Sequence, residues 1–369
     1  MKKECLILGG LVPDVYYSVS RWPDRGQDGF ISDENVVVGG CAVNMAVTAE
    51  NLGLRAHVVS CVGEDEIGGR MDGYLKEHGL SRRLIRRTGG VSGKCLVFVE
   101  PDGERTFLTR KGAEGLFPEE LAEAILQGEY AAAGVTGYYL LNDDAERIMA
   151  VIEELFRRGT KILFDPSPLA DAIRPDILRR MAEVSHIMTP NVTELKVLEE
   201  KTGKRLISKG GVQNSLKDQI CQSKAPVLIV KDGSAGGTVY TPERSFPYLA
   251  EKCTAVDTTG AGDSFSGALL YSMAEDIPVD AAVKLAARCA AKTVTIQGPH
   301  GVWKLEDSID VGQSVRRSRG RRDRRCYGHA RVVSHQSADR KKLRLYSRFS
   351  RAGERRAELS RQSSGGGNY

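Results

Sequence analysis

Between residues 4 and 295, short apolar or β-branched runs alternate with longer stretches of helical periodicity, and this narrows the fold more than any other feature. Strands are predicted at Glu4–Leu8, His57–Cys61, Lys161–Phe164, His186–Met188, Val227–Val230 and Gly237–Tyr240. Helices are predicted at Ala42–Leu52, Met71–His78, Ala145–Arg158, Val192–Lys201, Ser264–Ala274 and Val279–Thr295. Such alternation predicts an α/β fold with a mainly parallel sheet and helices on both faces. Two regions break the rhythm, within about residues 12–38 and 93–110. Their alternating β-branched and aromatic residues, with turns at Pro23-Asp24 and Pro101-Asp102-Gly103, predict a small antiparallel sheet acting as a lid.

Composition excludes several classes. The eight cysteines are scattered without a CxxC pair, so neither a disulfide framework nor a metal-binding spacing is expected, and a reducing, cytoplasmic setting fits best. The apolar run Cys5-Leu6-Ile7-Leu8 is too short for a signal peptide, and no run is long enough to span a membrane. The net charge of +5 is unevenly divided. Residues 312–369 hold fifteen Arg and two Lys against two Asp and two Glu, a net of +13 that leaves −8 on residues 1–311. That Arg-, Ser- and Gly-rich tail is expected to be disordered, either a genuine extension or a frameshift or read-through product.

The segment carrying most chemistry is Asp257-Thr258-Thr259-Gly260-Ala261-Gly262-Asp263-Ser264-Phe265-Ser266-Gly267. Phe265, Ala268, Leu269 and Met273 recur at helical spacing, which starts a helix near Asp263 and leaves Gly260, Ala261 and Gly262 at its N-terminus. Free amides and the helix dipole make such an end an anion site. A carboxylate beside it can take a proton from an attacking alcohol, a contribution of about 10²–10⁴ in rate. An isolated first-turn aspartate would merely complement the dipole, worth ~0.3–1 kcal/mol; the flanking DTT and GAG favour the chemical role. No GxxxxGK[ST] loop occurs, and the glycines do not fit GxGxxG.

This segment resembles the C-terminal signature of the PfkB, or ribokinase-like, carbohydrate kinases, and Gly39-Gly40-Cys41-Ala42-Val43-Asn44-Met45-Ala46 resembles their N-terminal one. The resemblance runs in order from residue 4 to about residue 303. It implies a three-layer αβα sandwich with a β lid, comprising a kinase domain over residues 1–311, and ATP-dependent phosphorylation of a hydroxyl on a sugar or sugar-like substrate. Asp263 would be the general base and Gly260, Ala261 and Gly262 the anion hole. Asp14, Gly39, Gly40 and Asn44 would bind the acceptor, joined by Asn142 near the end of a strand-like run. Arg105 is either a contact for an anionic acceptor, such as a sugar acid or sugar phosphate, or an exposed lid arginine.

Asn191 and Glu194 match the family's NxxE element, which implies Mg²⁺ held through water by Glu194, although the same pair also reads as a helix capping box. Lys231, Gly233 and Ser234 fall where the family has a nucleotide loop, and Asp257 and Thr259 match a monovalent-cation (K⁺) site found in many relatives. Val62-Gly63-Glu64-Asp65-Glu66-Ile67-Gly68 resembles a structural VGxDxxG element. Cys41 stands where ribokinases carry lysine, which counts against ribose, and Gln297-Gly298-Pro299-His300 departs from the family's glycine-alanine pattern near the nucleotide. The resemblance also allows a homodimer through the lid. Two alternatives are an adenosine- or pseudouridine-like nucleoside kinase, and a non-catalytic nucleic-acid-binding or regulatory protein using the basic tail. Against the latter stand the acidic body and a tail without aromatic interleaving.

Overall fold

The computed structural model describes residues 2–101, 105–203, 206–208, 211–212 and 227–299. The 312–369 tail, the domain end at 311 and the Asp102-Gly103 turn lie outside the described residues. In chain order the elements are β1 (Glu4–Leu8), β2 (Val12–Val19), β3 (Ile31–Gly39), α1 (Cys41–Asn51), β4 (Arg55–Gly63), α2 (Glu66–Glu77), β5 (Ile85–Thr88), β6 (Lys94–Val99) and β7 (Arg105–Arg110). There follow α3 (Glu119–Leu126), β8 (Ala132–Thr136), α4 (Ala145–Arg157), β9 (Lys161–Asp165), α5 (Pro175–Val184), β10 (Ile187–Met188) and α6 (Val192–Thr202). A short hairpin, β11 (Ile207–Ser208) and β12 (Gly211–Val212), precedes β13 (Val227–Lys231), β14 (Gly237–Tyr240), β15 (Ser245–Tyr248), α7 (Ala261–Ala274) and α8 (Val279–Thr293).

The main sheet has the order β15-β14-β13-β10-β9-β8-β1-β4-β5. Pairing from β13 to β5 is parallel, and β14 and β15 add an antiparallel edge. Alternate side chains of β1 feed two cores, as the period-two geometry of a strand requires. Leu6 and Leu8 join the layer of α3, α4, α5 and α6, whereas Cys5 and Ile7 join the layer of α1, α7 and α8. This is the expected αβα sandwich, with central parallel strands such as β1, β8 and β9 buried on both faces.

The lid sheet has the order β3-β2-β6-β7. β2–β3 and β6–β7 are the expected antiparallel pairs, and the seam between them, β2–β6, is parallel.

Most helix boundaries fall within a residue or two of the sequence reading. α2 starts earlier because Asp65 caps it, its carboxylate accepting from Gly68 N at 2.8 Å. β8, central in the sheet, reads Ala-Ala-Gly-Val-Thr and lacks the bulk that marks a strand in sequence. The reason is packing: a Cβ at Gly134 would stand 2.7 Å from Met45 Sδ. Met45 of α1 and Leu270 of α7 close over Gly134, which leaves little room for a side chain at that position.

Candidate active site

β1, β8, β9 and β13 end along one edge of the sheet, and α1 and α7 start there, which is where parallel α/β sheets bind ligands. Two glycines set the start of α1. Gly40 is its N-cap at φ 90°, and a Cβ there would meet Gly10 O at 2.6 Å. A Cβ on Gly39 would come within 2.4 Å of Asp14 Oδ2, so glycine at 39 makes room for the Asp14 carboxylate arriving on β2.

α7 is capped by Gly260 in the left-handed region at φ 74°, and a Cβ there would collide with Pro299 O at 2.2 Å. Both conformation and space therefore demand glycine. The helix begins at Ala261, so Ala261 and Gly262 contribute first-turn amides and Asp263 projects from the same turn. A Cβ on Gly262 would meet only Lys231 Nζ, at 3.7 Å. Bare amides and an ammonium thus face one cradle that an added side chain would fill. That fits a phosphate group.

Gly267 lets α7 approach α1, since a Cβ there would be 2.5 Å from Met45 O. The approach brings Asn44 Nδ2 to donate to Asp263 Oδ2 at 2.7 Å. A turn further on, Thr48 Oγ1 donates to Ser264 Oγ at 3.1 Å, and Ser264 Oγ contacts Thr293 Oγ1 of α8 at 2.7 Å. Burial, aided by the nearby Asp165 charge, raises the Asp263 carboxyl above the usual aspartate range, against the pull of Asn44, Cys41 and Lys231. Burial also pushes Asp14 up to about 7, with the Asp263 charge adding to the shift and Cys95 opposing it. Two neighbouring carboxyls of raised pKa are an arrangement typical of proton-transfer sites.

A second cluster surrounds Lys231, whose Nζ donates to Asp165 Oδ2 at 3.1 Å; Ser266 Oγ donates to the same oxygen at 2.6 Å. Burial alone would lower the lysine pKa, but Asp165, Glu194 and Asp263 outweigh it and hold the ammonium above its ordinary value. Glu194 is buried, and that burial raises its carboxyl despite the nearby lysine. Glu194 and Asn191 form the capping box in full: Glu194 N donates to Asn191 Oδ1 at 2.8 Å and Asn191 N to Glu194 Oε2 at 2.8 Å. Among the described residues no group of three or more His, Cys, Asp or Glu side chains that could hold a metal ion occurs.

The remaining predicted residues sit as follows. Asn142 is half-buried near Gly115, its Nδ2 without a protein partner. Gly233 and Ser234 lie on an exposed turn after β13, while Lys231 reaches inward from the strand end. Asp257 accepts from Thr259 N at 2.8 Å and Gly298 N at 3.0 Å. Its Oδ1 also pairs with Arg105 Nη2 of the lid at 3.0 Å, so the carboxylate expected to hold a monovalent cation is already matched by a guanidinium.

Asp165 and Ser266 were not singled out from sequence. The signal for Asp165 was its place as a carboxylate closing the apolar strand Lys161-Ile162-Leu163-Phe164 ahead of Pro166. Tyr16, whose hydroxyl neighbours Thr259 beneath the lid, carried no such mark.

Among solved structures, the chain resembles a ribokinase from Thermotoga maritima (TM-score 0.69, 22% identity, covering 84% of this chain and 99% of that one). It also resembles a nucleoside kinase from Burkholderia thailandensis solved with inosine (TM-score 0.68, 22% identity, 84% and 96%). The architecture is therefore ribokinase-like. Residues 8–304 match the pfkB family carbohydrate kinase profile, and the chain belongs to that family of ATP-dependent kinases. Curated relatives include an uncharacterized sugar kinase, YegV, of Escherichia coli (28% identity over 297 residues, 80% of this chain and 90% of that protein). Another is a ribokinase of Haemophilus influenzae (24% over 303 residues, 81% and 94%).

Proposed function

We propose that this kinase transfers the terminal phosphoryl group of ATP to a hydroxyl of a sugar or sugar-like acceptor, with Asp263 as general base. The observation carrying this reading is Asp263 itself: a buried carboxylate of raised pKa, oriented by Asn44, in the first turn of a glycine-capped helix. The acceptor O–H gives its proton to Asp263 as its oxygen bonds to phosphorus and the phosphorus–oxygen bond to ADP breaks. The amides of Ala261 and Gly262 and the Lys231 ammonium stabilise the charge on the transferring group. Asp14, Asn44 and Asn142 position the acceptor, beneath the walls formed by Gly39 and Gly40. Glu194 would hold Mg²⁺ through water, and the ion would supply neutralisation of phosphate charge; the Gly233–Ser234 turn would lie on the nucleotide side. Such a division suits phosphoryl transfer, where positioning and electrostatics supply most of the catalysis.

A sugar is favoured over a nucleoside because curated relatives matched over nine-tenths of their length or more are named as a sugar kinase and a ribokinase. The bulky apolar residues on the lid, Phe30, Phe107 and Leu108, are exposed and support a homodimer through that sheet. ADP release measured across sugars, sugar acids, sugar phosphates and nucleosides tests the reading. It predicts one acceptor class with turnover, abolished in Asp263→Asn.

A further inference from the structure

The turn that aims α7 is held from three sides. Val256 N and Asp257 N both donate to Val294 O, at 2.7 and 3.2 Å, tying it to the end of α8. Gly260 lies against Pro299. The third contact comes from the lid. Arg105, the first residue of β7, pairs with Asp257 Oδ1 at 3.0 Å and donates from Nη1 to Thr258 Oγ1 at 3.2 Å. One planar guanidinium thereby spans two successive residues of the turn, which a point charge does not do.

The Asp257 side chain is only 8% exposed, so its charge requires compensation. Backbone amides of Thr259 and Gly298 provide part, and with Arg105 they keep the carboxyl below the usual range in spite of burial. Both Asp257 oxygens are thus committed, one to Thr259 N and Arg105, the other to Gly298 N. A monovalent metal ion on this carboxylate and a guanidinium at 3.0 Å would be two cations competing for one anion.

We infer that Arg105 is a positioning residue: the lid's own guanidinium replaces a monovalent metal ion in holding the Asp257–Gly260 turn, and so sets the phosphate-binding end of α7. Two consequences follow. The enzyme needs no K⁺, and the turn that leads into the anion hole is braced by a lid residue, so its geometry depends on where the lid sits. This role differs from direct contact with an anionic acceptor, and it rests on the kinase reading only for its kinetic arm.

The test uses the full chain with Arg105→Ala, Arg105→Lys and Asp257→Asn. Turnover and thermal unfolding are measured in KCl and in tetramethylammonium chloride at equal ionic strength. Wild-type turnover and Tm are expected to be the same in both salts. Arg105→Ala should lose about 10- to 100-fold in kcat in tetramethylammonium, the scale typical of displaced supporting groups, with acceptor KM nearly unchanged. K⁺ should then restore much of its kcat and raise its Tm. Arg105→Lys should retain intermediate kcat without a K⁺ response, and Asp257→Asn should show none.

K⁺ activation of the wild type, or Arg105→Ala that stays insensitive to K⁺, overturns the inference. So does a large rise in acceptor KM at constant kcat, which would make Arg105 an acceptor contact. If Arg105→Ala does not fold in either salt, Arg105→Gln takes its place and must be activated by K⁺. If the wild type shows no turnover with any acceptor, the kinase reading fails while the Tm comparison still decides the role of Arg105.

Discussion

Asn44 Nδ2 donates a 2.7 Å hydrogen bond to Asp263 Oδ2, joining the first turns of two helices that lie 219 residues apart in sequence. The contact exists because Gly267 permits α7 to lie against Met45 O. The N-terminal turns of α1 and α7 are thereby one unit. An amide donor also stabilises the ionised form of Asp263 and limits the rise in its pKa caused by burial.

Replacing Asp263 by Asn should lower kcat by about 10²–10⁴-fold while leaving the fold intact, since the amide can still meet Asn44. On the proposed mechanism Asp263 acts only when ionised, and its pKa is raised. Turnover should therefore fall as pH drops through that raised value, at a higher pH than an ordinary aspartate would give. A pH–rate profile of kcat/KM checks this.

Asp14 titrates near 7 in the folded protein, against 3.8 for the free side chain. Between these values the folded state keeps a proton that the unfolded state has lost, so this contribution to stability is full below about 4 and is lost as pH rises through 7. Asp14→Asn should therefore be more stable than wild type at pH 8, by more than about 1.4 kcal/mol, the worth of one pKa unit. The advantage should vanish towards pH 4, while acceptor KM rises at every pH. Thermal melts across pH, with steady-state kinetics, provide the check.

Two glycine substitutions should separate conformation from chemistry. Gly260→Ala forces a Cβ into the left-handed region, at ~1–2 kcal/mol, and against Pro299 O, so both Tm and activity should fall. Gly262→Ala meets only Lys231 Nζ at 3.7 Å and should keep wild-type Tm. Its added methyl intrudes on the phosphate cradle, so ATP KM should rise and kcat fall.

Lys231 and Asp165 form a pair whose side chains are 17% and 9% exposed. Asp165→Ala leaves Lys231 with Glu194 and Asp263 as its remaining counter-charges. The expected loss is about 3–5 kcal/mol, the scale for breaking a buried pair, together with a higher ATP KM. Asp165→Asn, which keeps an acceptor for Ser266, should lose less. Chemical denaturation of both variants measures the difference.

The layered fold was legible because strands such as Glu4–Leu8 and Lys161–Asp165 are buried on both faces and therefore read as continuous apolar runs. β8 escaped notice because its alanines and glycine, over which Met45 of α1 and Leu270 of α7 pack, carry no strand signature. At the site, Asp263, Gly260 and Gly262 stand out because their chemistry is local to one turn. Asn191 and Glu194 were visible for the same reason, and the structure adds that their capping box is complete. The Asp165–Lys231–Ser266 cluster joins three elements far apart in the chain, so no window of sequence contains it. Arg105 was legible as a lid arginine, but its partner, Asp257, lies 152 positions away and is fixed only by how the lid sheet meets the α7 turn.

The most direct test of the account is acceptor-dependent ADP formation by the full chain and by Asp263→Asn, across a panel of sugars, sugar acids, sugar phosphates and nucleosides. The account predicts turnover with one acceptor class, a phosphorylated product in equal amount to ADP, and a loss of about 10²–10⁴-fold in the variant. Equal turnover by Asp263→Asn and the wild type would contradict Asp263 as the base. Absence of turnover with every acceptor would contradict the kinase assignment and turn attention to a non-catalytic role for this fold.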